Sequence, residues 1–514
     1  MRMRGPGLLA GVLVCATAVV AAAQSVSYAP RNSARGVNPD THLAITFPSP
    51  PTLGKAGTIR IYDAADDRLV DTLDLSVPPG PTAGPGATGG RVPYTPVPYE
   101  YTPGRRATNA DTVPGTPSGA AAQTPATSQL TIIGGFTDAF HFYPVIVRGN
   151  VATIYPHNNL LAYGRTYYVQ IDPGVLTLTG GGFTGVAGKR GWTFSTKARG
   201  PAPDSTRVVV AADGTGDFNT VQGAADFVPD RSSRRVTIFI RNGSYEEIVY
   251  FRNKSNLTIT GESREGVQIH YANNEIFNPH PSNIATNEWP GTFPSRRAAF
   301  MADQAIDVHI LNLTIRNTAR GQAEGLLITG ERNILSHVSI YGSGDALQVN
   351  GPAYITDSLI VGDGDTVLTR GPAFFNNCEL QSRGPFTWTR NTAANHGTVF
   401  LNCRFKGTGA EPTVIARAPT NGGRTYPNVE VVLLSCALDG VSAVGWGDVG
   451  GDTSQAHFWE HNSTNLRDGT PVDARARHPV SRQLTMKDDA QTIANYSNPA
   501  WVLGGWTPAT ITVK

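Results

Sequence analysis

The chain has 514 residues, a formal net charge of +2 and only 16% charged residues. Such a length accommodates two or three domains with sizeable cores, and a charge this close to zero gives no electrostatic case for nucleic acid or an anionic membrane as partner. Glycine (56 residues) and proline (37) are plentiful, which suits a loop-rich β architecture better than helical bundles.

The N-terminus reads MRMRGPGLLAGVLVCATAVVAAAQ, a basic start, an apolar stretch from Leu8 to Val20 and three alanines before Gln24. That is the pattern of a secretory signal peptide. Residues 1–23 are therefore expected to be removed and the rest exported to the periplasm or medium. Val14 precedes Cys15 where a lipoprotein signal needs a small residue. No later stretch is long and apolar enough to span a bilayer.

Residues 24–197 read as one small β domain. THLAITF, TIRIYDA, HFYPVIV, NVATIYP, RTYYVQI and GWTFSTK are short β-rich runs separated by Gly, Pro and Asn turns, the rhythm of a β-sandwich. Around 78–127 the chain turns Pro-, Gly-, Ala- and Thr-rich; such an insertion cannot bury enough apolar surface to offset its ordering entropy and is expected to be disordered. ARGPAPDS (198–205) is the linker, and the front domain carries no evident chemical cluster, which makes a spacer or wall-binding module the default.

From 206 to 514 the pattern changes. One helical segment lies around Thr220–Phe227, and apolar runs then end at Ile315, Ile340, Ile360, Leu380, Phe405 and Leu438, in steps of 25, 20, 20, 25 and 33 residues. NLTI ending at Ile259 is placed in the same series. Repetition at this period, with turn residues between β-branched positions, signals a right-handed parallel β-helix. Cys378, Cys403 and Cys436 each follow a polar residue late in an apolar run; they read as stacked interior thiols, since their number is odd and their spacing is wrong for zinc. LTMKDDAQTIANY near the end reads as an amphipathic helix lying on the β-helix, with Trp501 and Trp506 behind it.

The period converts sequence distance into proximity. Asp345 and Asp365 lie five residues after Ile340 and Ile360, the same phase of successive coils, and neighbouring parallel strands are about 4.8 Å apart. Two close carboxylates push their pKa values apart, as a nucleophile beside a general acid requires. Gln322, one coil earlier, could donate to an oxyanion, and Arg417, roughly two coils later, could hold the lower-pKa carboxylate ionised. Two other readings stand beside this one. Asp-Gly is a common surface bend, and Asp363 with Asp365 could begin a calcium loop, although few further oxygens are evident.

The ordered motifs resemble those of the pectin methylesterase family of right-handed β-helix carbohydrate esterases. GSYEE (243–247) is similar to Gly-x-Tyr-x-Glu, and GTFPS (291–295) to Thr-Phe-x-Ser. QAEGL (322–326) is similar to Gln-Ala-Val-Ala-Leu, and GSGDAL (342–347) to Gly-Tyr-Gln-Asp-Thr-Leu. DTVLTRGPAFFNNC (365–378) resembles Asp-Phe-Ile-Phe-Gly with its later Phe-x-Asn-Cys, ARAP (416–419) Gly-Arg-Pro-Trp, and VGW (444–446) a late Gly-Trp. The likeness covers about 207–505, and the thirteen residues from Asp365 to Cys378 select Asp365 over Asp363. The front domain resembles bacterial Ig-like modules more weakly.

The resemblance implies an all-β protein, a β-helix preceded by a smaller Ig-like sandwich, that hydrolyses methyl esters of homogalacturonan to pectate and methanol. It implies Asp365 as nucleophile, Asp345 as acid and base, Gln322 as oxyanion donor and Arg417 as the group orienting Asp365. Thr292, Gln322, Arg417 and Trp446 would contact the polysaccharide, with no metal or cofactor and a monomeric chain. Four departures bear on substrate. Gly344 replaces the glutamine before the acid/base aspartate, Thr366 and Pro419 stand where aromatics are expected, and Val449 replaces a second late tryptophan. Trp388 and Tyr426 are the candidates to restore a ring. The departures motivate an alternative, a β-helix carboxylesterase or thioesterase with another substrate; a non-catalytic polysaccharide-binding protein is the third reading. In GSYEE, Tyr245 and Glu246 are expected to pack and cap rather than react.

Overall fold

The computed structural model describes residues 1, 26–81, 128–134, 139–279, 295–417, 426–447 and 451–511. The expected signal peptide, nearly all of the 78–127 insertion, Thr292, Pro419 and Val449 therefore lie outside the described residues.

The front region is built from strands that pair antiparallel, apart from one parallel edge pair of Ala34–Val37 with Thr193–Thr196. All six predicted runs form strands, at Leu43–Thr46, Thr58–Asp63, Val145–Arg148, Val151–Ile154, Thr166–Ile171 and Thr193–Thr196. They are divided between a four-stranded and a five-stranded sheet. Alternation supplies the shared core. Ile59 and Ile61 point inward from one strand, Leu43 and Ile45 from another, and all four are essentially solvent-free. Fully burying such side chains stabilises by ~1.5–3 kcal/mol each.

The rest of the chain winds into three stacked walls of parallel strands. The predicted series is one of them: Ile315 pairs with Ile340, Ile340 with Ile360, Ile360 with Leu380, Leu380 with Phe405 and Phe405 with Leu438. Ile259 is not part of it. It pairs with Ile238 and Ile310 on a different wall, and the rung before Ile315 is Ile269. The motif NLTI occurs twice because Asn256 and Asn312 both turn the chain through the left-handed region, at φ 53° and 55°. The same conformation recurs at His337, Asp357, Asn377, Asn402, Ser435 and Asn462. This corner needs residues that tolerate positive φ, and Asn and Asp do so because their short polar groups bond locally. At another corner Gly351 is obligatory, since a Cβ there would lie 2.0 Å from the Gly330 carbonyl oxygen.

The three thiols follow corner residues and are buried and free, with Cys436 Sγ 3.4 Å from the Phe400 oxygen. Helix α1 (Val221–Phe227) closes the first coil, capped by Thr220. Near the other end α2 (Met486–Tyr496) and α3 (Pro499–Val502) pack on the outer face of a wall through Tyr496 and Val502.

The front region is fastened to the first coils rather than tethered at a distance. The Asp40 carboxylate accepts from the Asn219 and Thr220 amides and from Thr220 Oγ1, each at 2.8 Å. Ile133 and Phe140 join a core with Ile248, Tyr250, Phe277 and Met301. In GSYEE, Tyr245 packs inside and Glu246 pairs with Arg148 of the front region. The capping carboxylate is the next residue: Glu247 accepts from the Val221 and Gln222 amides at 2.8 and 2.9 Å. Among the described residues no helix is long and apolar enough to cross a membrane.

Candidate active site

Each coil leaves the Ile315-series wall through a polar turn before re-entering the next wall at Leu326, Leu347 and Val367, which are in register. These consecutive turns carry Gln322, Asp345 and Asp365. The turns are stitched together by backbone and side chain. Ala323 and Ser343 exchange two amide–carbonyl bonds of 2.9 and 3.0 Å. Asp363 accepts from Ser343 Oγ at 2.8 Å and from the Gly344 amide at 2.5 Å. The two neighbouring aspartates therefore have separate duties: Asp363 ties its turn to the one before, which leaves Asp365 to face outward. Among the described residues no group of three or more His, Cys, Asp or Glu side chains is placed to hold a metal ion.

Asp365 sits at φ 45°, a conformation that costs a non-glycine residue ~1–2 kcal/mol and that its partner helps to hold. Arg417 Nε donates to Oδ1 at 2.7 Å and Nη2 to Oδ2 at 2.5 Å. This fork-to-fork pairing fixes both carboxylate oxygens in one plane, and the Asp365 bonds push the Arg417 pKa further up. Trp388 supports the fork, with the Arg417 guanidinium 4.2 Å and the Arg390 guanidinium 3.8 Å from its ring centroid.

Asp345, one coil earlier, lies in a different environment. It is 6% exposed, and its pKa is pushed up to about 7. Burial is the main cause; Glu324 and Asp365 raise it further, while Arg297 and Arg370 oppose the rise. A buried carboxyl that carries its proton near neutrality can act as a general acid, and its neighbour, oriented by the Arg417 fork, can act as nucleophile. Gln322 is exposed on the preceding turn, and its carbonyl accepts from the Glu275 amide at 2.9 Å. The structure brings Asp345, Asp365 and Arg417 together and places Gln322 on the turn before Asp345, where its main-chain carbonyl meets the Glu275 amide.

The family profile described as Pectinesterase matches residues 207–501. The chain belongs to the pectinesterase family. Among curated relatives, pectinesterase/pectinesterase inhibitor U1 of Solanum lycopersicum is 25% identical over 320 residues, covering 59% of this chain and 52% of that one. Pectinesterase QRT1 of Arabidopsis thaliana is 28% identical over 292 residues, 54% of this chain and 73% of that one. The chain spans about half, or less, of the length of the first curated relatives it matches. Of solved structures, the pectin methylesterase PemA from Erwinia chrysanthemi shares 24% identity at a TM-score of 0.46, covering 60% of this chain and 99% of that one. The carrot pectin methylesterase shares 20% at 0.47, covering 60% and 95%.

Within this pectinesterase framework some expectations are corrected. Trp446 offers no face to a sugar: it is 1% exposed and stacks on Phe458 with centroids 4.7 Å apart. The expectation failed because Gly445, at φ 69°, turns the indole inward. Trp388 is 9% exposed and covered by the two guanidiniums, so it braces Arg417 rather than restoring a sugar platform. Thr366 is buried, donating to Ser382 Oγ at 2.7 Å. Gly344 adopts φ 69°, with a Cβ position 3.1 Å from the Gly321 oxygen, so the turn is built around the absence of a side chain.

Sequence reasoning missed the group beneath the acid. Arg297 donates through Nε to Glu324 Oε1 at 2.6 Å and through Nη2 to Asp345 Oδ2 at 3.0 Å, and its Nη1 lies 3.4 Å from Glu275 Oε2. All four side chains are no more than 9% exposed. The available signal was Glu324 itself, a carboxylate at the valine position of the QAEGL segment, on a chain where the next residues are apolar.

Proposed function

We propose that the protein is a secreted pectin methylesterase hydrolysing the methyl esters of homogalacturonan, with an Ig-like front module and with Asp365 and Asp345 as the reacting carboxyl groups. The observation that carries the reading is the division of labour between two adjacent turns. One aspartate is forked onto Arg417 through two hydrogen bonds; the other is buried, which pushes its pKa up to about 7.

In this mechanism an Asp365 oxygen attacks the ester carbonyl carbon. The carbonyl electrons move onto oxygen, where the Gln322 amide donates a hydrogen bond. As the tetrahedral centre collapses, the carbon–methoxy bond breaks and the Asp345 proton passes to the departing oxygen, releasing methanol and leaving an acyl-enzyme on Asp365. Water then attacks that acyl carbon while Asp345, now a carboxylate, takes its proton. The Asp365–acyl bond breaks, giving the Asp365 anion, protonated Asp345 and the galacturonic acid group, which releases its remaining proton to solvent to become galacturonate. Arg417 is the positioning residue that keeps Asp365 in its strained, outward rotation. The proposed substrate contact through Thr292 rests on the motif alone.

Methanol release from methylated pectin by the wild-type protein, absent in Asp365→Asn, tests the reading. A second reading is favoured by the burial of Trp446 and Trp388 and by Gly344: the same machinery acting on another carboxylic ester or thioester. Turnover of simple acyl esters without methanol release from pectin would select it.

A further inference from the structure

The buried group under Asp345 poses a charge problem. A general acid must hold its proton until the leaving group asks for it, yet Arg297 donates directly to Asp345 Oδ2. A buried guanidinium with that carboxylate as its sole counterion would favour the ionised form strongly and spoil the acid. The geometry shows what prevents this. Arg297 is engaged first by Glu324, whose contact at 2.6 Å is shorter than the 3.0 Å to Asp345, and it also faces Glu275 at 3.4 Å. Glu324 is 0% exposed, and its second oxygen has no hydrogen-bond partner among the described residues.

The charged groups around Asp345 are few. Arg297, Glu324, Asp365 and Arg370 act on it directly; Glu275 stands behind Arg297, and Arg417 neutralises Asp365. Asp363 lies nearby as well, bonded to the Gly344 amide and Ser343 Oγ; among the other groups three guanidiniums face four carboxyl groups, an excess of negative charge that a proton on one carboxyl relieves. Asp345 is the member whose reaction needs that proton. Glu324 stands where the pectinesterase motif quoted above has valine, so this balance is a feature of the present chain and not of the motif.

We propose that Glu324, by taking up the charge of Arg297, keeps Asp345 protonated for delivery to the leaving alcohol, while Arg297 orients the Asp345 carboxyl through Oδ2. The inference rests on the reading of Asp345 as the acid. Arg297 and Glu324 are positioning residues, because both act through the Asp345 carboxyl rather than on the ester. No new bond is made: the proton that Asp345 donates in the first half-reaction returns from water in the second. Burial raises the Glu324 pKa as well, but the Arg297 contact at 2.6 Å opposes that rise and makes Glu324 the ionised partner in this scheme.

The test is the pH profile of methanol release from methylated pectin. Removing the negative charge in Glu324→Gln lowers the Asp345 proton affinity, so the alkaline limb of kcat moves to lower pH, by about one unit for a charge at this separation. Glu324→Asp, which keeps the charge, leaves the limb closer to wild type. Arg297→Met/Glu324→Val removes both charges together. Its limb returns toward wild type while kcat falls about tenfold with KM little changed, since Asp345 has lost its orienting donor. An alkaline limb that does not move in folded Glu324→Gln overturns the proposal. If that variant does not fold, a double variant with wild-type kcat overturns it instead. Wild-type protein that releases no methanol sinks the parent reading. Active wild type with inert Asp365→Asn and an unmoved Glu324→Gln limb sinks this inference alone.

Discussion

Removing the Arg417 side chain is the most informative perturbation of the nucleophile. Its two bonds to Asp365, 2.7 and 2.5 Å long, are charge-assisted, and each such bond contributes ~1.5–3 kcal/mol when water is excluded. The Arg417 side chain is 36% exposed and that of Asp365 18%, so solvent screening reduces the sum, and we take ~1.5–3 kcal/mol for the pair. In Arg417→Ala, Asp365 is also free to leave φ 45°, which turns its oxygens away from the acyl carbon. If that free energy is lost mainly from the transition state, kcat/KM for methanol release falls about 10–150-fold. Arg417→Lys keeps the charge but cannot fork, and is expected between wild type and alanine. Steady-state methanol release on methylated pectin, with unfolding curves to show that both variants are folded, provides the measurement. Alanine activity within about twofold of wild type, or lysine equal to wild type, would refute the claim that the fork positions the nucleophile.

Asp363→Ala separates the two adjacent carboxylates. Its loss frees Ser343 Oγ and the Gly344 amide, so a stability loss of ~1–3 kcal/mol in denaturant titration should accompany a rate loss far smaller than that of Asp365→Asn. Asp345 links stability to pH. Its folded pKa of about 7 lies above the ordinary 3.8, so its contribution is fully present below pH 3.8 and lost as pH rises through 7. Asp345→Asn, which has no such titration, should therefore gain stability relative to wild type between pH 4 and pH 8, read as the difference in denaturation midpoints. Gly344→Gln does not restore a family-like donor cheaply. The φ of 69° predicts a loss of ~1–2 kcal/mol, visible as a lower denaturation midpoint. Trp446→Ala costs ~3–5 kcal/mol of stability, and Trp446→Phe, which keeps an aromatic against Phe458, leaves KM for pectin unchanged; a raised KM in the folded phenylalanine variant would return Trp446 to the cleft.

The features legible in the sequence were those the coil repeats. The Ile315-to-Leu438 series is a register of one wall, because the residue that points inward must be apolar once per turn and the corner before it must tolerate positive φ. Asp345 and Asp365 inherit their juxtaposition from Ile340 and Ile360, and Arg417 was found from its spacing and motif. Contacts that cross the repeat were not legible. Ile259 was misplaced because the same Asn corner serves two walls. Trp446 was misplaced because a glycine turn can send the next side chain to either side, and the choice depends on Phe458 in the core. Glu275, Arg297 and Glu324 follow one another at 22 and 27 residues, about one coil each, but no repeated residue type marks that phase as it does for the two aspartates. Only their burial with Asp345 marks them as a group. The front region followed its alternation faithfully, yet nothing in its strands indicated that Asp40 would bind the Asn219 and Thr220 amides ahead of α1 or that Phe140 would enter a core with Tyr250.

The most direct test of the whole account is methanol release from methylated pectin by the wild-type protein and Asp365→Asn, assayed side by side with matched unfolding curves. The account predicts methanol from the wild type and none above background from the folded variant. Equal methanol release by both would show that Asp365 is not the attacking group.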